Sequence, residues 1–88
     1  MNIFKHKFQE PTWSADGWKV TTYFDRLSST IVCNVFCDGY PLTDMIEGLS
    51  EKVDNLGTIT YDELNDAIGQ AHVEAVTAAK YKQARLGE

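Results

Sequence analysis

The chain has no apolar run approaching the roughly 18 residues that a membrane-spanning helix requires. Lys5, His6 and Lys7 interrupt its first residues, where a secretion signal would need an apolar core. No membrane partner is expected, and the expected location is cytoplasmic. Basic residues are scarce, with 8 Lys and Arg against 13 Asp and Glu for a net charge of −5. That balance argues against a direct duplex DNA binder, which needs a basic footprint. There is no glycine-rich phosphate loop, no Walker-type lysine and no dinucleotide fingerprint, so the common nucleotide-dependent enzymes are not indicated.

Soft ligands are few as well: two cysteines and two histidines. Cys33 and Cys37 are four apart in a run that reads as a strand, which separates them by about 13 Å. A disulfide needs α-carbons within about 7 Å, so both thiols are expected to be reduced, as in a reducing compartment. Structural zinc sites gather cysteines at a turn or knuckle. These lie along a strand beside Ile31 and Val35, so they read as core residues, and neither a metal nor another cofactor is expected. Catalysis by nucleophile and base needs a histidine held by a third group. Neither His6 nor His72 sits in such a pattern, and the carboxylates read as solvent-facing, so a catalytic residue is not expected.

What the chain does have is a foldable composition: 88 residues, 43% hydrophobic and 11% aromatic. That fits one α+β domain over residues 1–88. Its acidity is concentrated. Residues 38–74 hold nine acids and one base for −8, whereas 1–37 carry +1 and 75–88 carry +2.

Three strands are expected first. Ile3 to Gln9 reads as a weak strand, and Pro11 and Asp16-Gly17 bracket a loop. Trp18, Val20, Thr22 and Phe24 then alternate with Lys19, Thr21, Tyr23 and Asp25, the period of a half-buried strand. Leu27 to Ser29 turns the chain, and Thr30 to Cys37, rich in β-branched residues, pairs antiparallel with the strand before it. Asp38-Gly39 ends that strand.

Two helices are expected next. Leu42, Met45, Ile46, Leu49, Val53 and Leu56 recur at steps of three and four, a single apolar stripe that Gly57 stops. Thr60 and Glu63 form a Thr-x-x-Glu capping box for the second helix, with Ile59 and Leu64 in the staple positions. Leu64, Ile68, Ala71, Ala75, Ala78 and Ala79 share its inner face. Lys80, Lys82 and Arg85 complement its C-terminal dipole. The expected architecture is therefore a three-stranded antiparallel sheet (β-β-β) followed by two α-helices packed on one face.

On the first of these helices Asp44, Glu47, Glu51 and Asp54 would lie opposite the apolar stripe in one acidic row, and Asp62, Glu63 and Asp66 would extend it. Such a row invites a protein partner with a basic surface. Tyr23, Val32 and Phe36 would form an apolar patch on the uncovered sheet face, a second candidate contact. Gly69, Val73 and Val76, off the inner stripe of the second helix, mark a place for a homodimer contact.

In size and charge alone the chain resembles the small inhibitors that phages make against nucleic-acid-binding machinery, including restriction and CRISPR effectors and RNA polymerase. That resemblance implies a non-catalytic, DNA-mimicking inhibitor acting in the host cytoplasm. The alternatives are an adaptor subunit that oligomerises through apolar surfaces, and a single-stranded nucleic-acid binder using the aromatic sheet face.

Overall fold

The computed structural model describes residues 7–42 and 49–86. Five strands precede one helix: β1 (Thr12–Ala15), β2 (Trp18–Asp25), β3 (Thr30–Cys37), β4 (Tyr40–Pro41), β5 (Glu51–Lys52) and α1 (Tyr61–Leu86). All pairings are antiparallel, in the order β1-β2-β3-β4 with β5 also on β3. The β2–β3 hairpin has the bounds that its alternation predicts, with Tyr23 opposite Val32 and Thr22 opposite Cys33.

The turns follow from residue chemistry. Asp16 and Gly17 have φ of 52° and 84°, and Asp38 and Gly39 have 50° and 86°. Two-residue hairpins need positive φ at both central positions, and Asp-Gly supplies it at low cost. The β2–β3 loop is held instead by Asp25, whose carboxylate accepts the Leu27 N–H at 3.1 Å and the Ser28 hydroxyl at 3.0 Å.

The inner sheet face carries Trp18, Val20, Thr22, Phe24, Ile31, Cys33 and Val35, all buried against Leu64, Ile68, Ala71, Ala75 and Ala79 of α1. Alanines at three of the five helix positions let its backbone lie close to the strands. Its start is the expected capping box: Glu63 N–H donates to Thr60 Oγ1 at 3.1 Å, and the Glu63 carboxylate accepts from Thr60 N–H at 3.3 Å. The 26 residues of α1 span about 39 Å at 1.5 Å per residue. Burial ends at Ala79, so Lys80 to Arg85 overhang the core.

Three expectations are overturned. The three-stranded sheet with two helices gives way, among the described residues, to a sheet of five strands followed by a single helix. Residues 12–15, expected as loop, form β1, because Asp16-Gly17 is a hairpin turn rather than a loop boundary. Of the expected first strand, residues 7–9 take no regular structure, and the remainder lies outside the described residues.

Of the expected helix from Leu42 to Leu56, the described residues 49–56 form β5 and the start of a turn over 54–58 instead, and residues 43–48 lie outside the described residues. The cause is the free edge of β3, whose backbone groups need partners that a helix would leave without. Leu42, Leu49, Val53 and Leu56 still point inward, so the three-four spacing recorded burial but not conformation. Phe36 pairs with Pro41, yet Ile31 pairs with Glu51. A continuous register would put position 46 opposite Ile31, so β4 and β5 do not continue one register along β3. Beside the break, Ser50 Oγ accepts the Cys33 N–H at 3.3 Å and Val35 C=O accepts the Leu42 N–H at 2.8 Å.

Candidate functional site

The single cysteine–histidine encounter among the described residues lies between sheet and helix. Thr22 Oγ1 is 3.0 Å from His72 Nδ1 and 3.6 Å from Cys33 Sγ, which in turn is 3.8 Å from the Ala71 carbonyl oxygen. One proton order satisfies all of them: His72 Nδ1–H donates to Thr22, the Thr22 hydroxyl to Cys33, and the thiol to Ala71 C=O. Thr22 and Cys33 are buried. Burial raises the Cys33 thiol above its ordinary pKa, only partly offset by the Thr22 hydrogen bond, and burial lowers His72. A thiolate nucleophile needs the opposite environment. The trio is a packed polar seam that fixes α1 on the sheet. Thr22 on an otherwise apolar strand face is its legible signal, since a core hydroxyl must find a partner.

The expected acidic row does not exist as a helix face. Asp44 and Glu47 lie outside the described residues, Glu51 is in β5, and Asp54 is in the turn after it. A different acidic grouping replaces it. Glu51 is paired opposite Ile31, so strand alternation puts it at the edge of the inner sheet face on which α1, the helix of Glu74, packs; both charges add to the burial that raises the Cys33 thiol. Glu51, Asp54 and Glu74 are all exposed. Glu51 is opposite Ile31 and Lys52 opposite Thr30, so strand alternation sends the neighbouring base Lys52 to the other sheet face, away from this flank. Glu74, exposed on α1, has no signal of its own in the sequence.

Asp62 and Asp66 are exposed on α1, as is Glu63. Tyr23, Val32 and Phe36 share the outer sheet face. Tyr23 is 38% exposed and the other two are half-buried. No described helix covers that face.

A groove of about 330 Å³ lies between Lys7–Glu10 and the end of β2. Phe8 and Phe24, in edge-to-face contact at 5.5 Å, form its base, and Phe8 also stacks on Tyr61 at 5.4 Å. Leu27, 100% exposed, stands at its rim. Lys7 and Arg26 oppose Glu10 and Asp25 around it, so the groove does not select a charge. Among the described residues no group of three or more His, Cys, Asp or Glu is placed to hold a metal ion, and no helix is long and apolar enough to cross a membrane.

Comparison with protein-family models, with curated proteins and with solved structures gives no match.

Proposed function

We propose that this chain is a non-catalytic binding protein that docks its acidic flank, Glu51, Asp54 and Glu74, on a basic surface of a partner protein. The observation that supports this reading is the register of β5, which sets Glu51 opposite Ile31 on the sheet face where α1 with Glu74 packs and sends Lys52 to the opposite face. Partners of that charge include proteins built to hold nucleic acid, and occupying such a surface would inhibit them. The Cys33 environment supports a non-catalytic role, because a buried thiol held protonated is a poor nucleophile.

The test is capture of partners with wild type and with Glu51→Lys/Glu74→Lys, identified by mass spectrometry and titrated at low and high salt. About tenfold weaker binding by the double variant, with a shallower salt dependence, is expected. Equal capture by both forms at all salt concentrations would sink the reading.

A second reading, an adaptor that assembles through apolar surface, is favoured by a separate observation. Val73 of α1 is 57% exposed among polar neighbours.

A further inference from the structure

The outward face of α1 has a two-fold pattern. Taking 100° per residue from Val73, Asp62 and Lys80 fall at about −20° and Asp66 and Ala84 at about +20°, one stripe with Val73 at its centre. The steps from Asp62 through Asp66, Val73, Lys80 and Ala84 are four, seven, seven and four residues, the same in both directions. Charge breaks the symmetry in a useful way. The N-terminal half of this face carries Asp62 and Asp66, and the C-terminal half carries Lys80, with Glu63 and Arg85 off to one side; Val73 and these charged residues are exposed. Within one chain Asp66 and Lys80 are 14 positions apart, about 21 Å along the helix, too far to pair.

Resting on the second reading above, we propose that this face is a self-association surface on which a second copy of the chain docks antiparallel, with Val73 on the two-fold axis and Asp66 of each copy opposite Lys80 of the other. An antiparallel partner turned about Val73 brings position 66 level with position 80, and it brings Glu63 within a turn of the other copy's Arg85. Self-complementarity of this kind is what an isologous dimer requires. The overhang of α1 beyond the core is consistent with it, because the uncovered last turns of each helix would lie along the acidic first turns of the other. The Lys80 ammonium sits 5.7 Å from the Trp13 ring of its own chain, at the flank of the stripe, and would leave that ring to pair across the axis. Gly69 belongs to the fold instead, since the Gln9 side chain packs over it while donating to Asn65 C=O at 2.6 Å. Val73 supplies the desolvated centre, and the charges set direction and register more than they add affinity.

The experiment is sedimentation equilibrium across concentration at low and high salt. Wild type is expected to approach twice the 9.9 kDa chain mass, with salt weakening the association. Asp66→Lys and Lys80→Asp should each weaken it about tenfold or more by setting like charges opposite each other. The double variant Asp66→Lys/Lys80→Asp should regain at least most of the wild-type affinity, because both sides of the pair are inverted together. In a Cys37→Ser background, Val73→Cys should form a chain-to-chain disulfide through position 73. All four positions are exposed or half-buried, and circular dichroism confirms that each variant stays folded. A wild type that remains monomeric at every concentration overturns the proposal, as does a dimer indifferent to both single charge reversals. Equal loss in the single and double charge variants overturns the antiparallel register. The acidic-flank reading is untouched by any of these variants and stands or falls on Glu51 and Glu74.

Discussion

The carboxylate of Asp38 occupies the space above the α-carbon of Gly17 that a side chain would fill, and the Asp38 N–H donates to the Gly17 carbonyl at 2.8 Å. The two Asp-Gly hairpin turns are thereby clamped side by side at one end of the sheet. Gly17→Ala meets two obstacles, a φ of 84° and the carboxylate, whereas Gly39→Ala meets only a φ of 86° with open space around it. Left-handed backbone costs a non-glycine residue about 1–2 kcal/mol. Chemical denaturation should therefore show Gly39→Ala losing about that much and Gly17→Ala losing more. Adding Asp38→Ala to Gly17→Ala should recover the difference. Equal losses at the two glycines would show that the Asp38 carboxylate moves aside freely.

Thr60→Ala should cost about 1 kcal/mol, because it removes the acceptor for Glu63 N–H at the start of the only helix among the described residues. Glu63→Ala should cost a similar or smaller amount, since it releases Thr60 N–H. Urea midpoints read both. If neither midpoint moves, the helix does not depend on this cap.

Protonation of His72 is opposed by burial, which lowers its pKa from the ordinary 6.5. Below pH 6.5 the unfolded chain then binds more protons at this residue than the folded one does. The stability it protects is whole above that pH and is lost as the pH falls through the folded value. Unfolding free energies measured from pH 8 to pH 5 should decline more for wild type than for His72→Gln, whose amide keeps a partner for Thr22 without titrating there. Parallel declines would place the sensitivity elsewhere, among the carboxylates.

The two thiols should separate in a labelling experiment. Cys33 is buried, while Cys37 is half-buried with its sulfur 4.0 Å from the Asp38 carboxylate. One equivalent of thiol reagent should react with the folded protein and the second only on unfolding. Prompt reaction of both would mean that α1 lifts from the sheet readily.

The legible parts of this fold are those in which short-range chemistry and burial agree. The β2–β3 hairpin shows itself through alternation, and α1 through Thr60, Glu63 and its alanine face. Asp62 and Asp66 stand exposed where that helix pattern puts them, and Tyr23, Val32 and Phe36 share the outer face that alternation assigns. The stretch after Gly39 reads as a helix because its apolar residues recur at helical steps, while Glu51 and Lys52 answer to their pairing with Ile31 and Thr30 of β3, about twenty residues earlier. No periodicity within 42–56 reports that Cys33 needs Ser50. The acidic site moves with it: Glu51 reaches the edge of the inner sheet face only once β5 lies on β3, a tertiary fact with no local signature.

The break between β4 and β5 also bears on how these molecules behave when crowded together. Thr30–Cys37 is eight residues of β-prone, uncharged chain, the composition from which stacked intermolecular strands grow. Here β2 covers one side of it along its whole length. On the other side two dipeptides, one containing Pro41, take its ends, and the Ser50 hydroxyl and Leu42 N–H take places between them. The far edge of the sheet is β1, four residues long and preceded by Pro11. Among the described residues an incoming strand therefore meets no long straight row of free amides on either side, which is how natural sheets resist edge-to-edge growth.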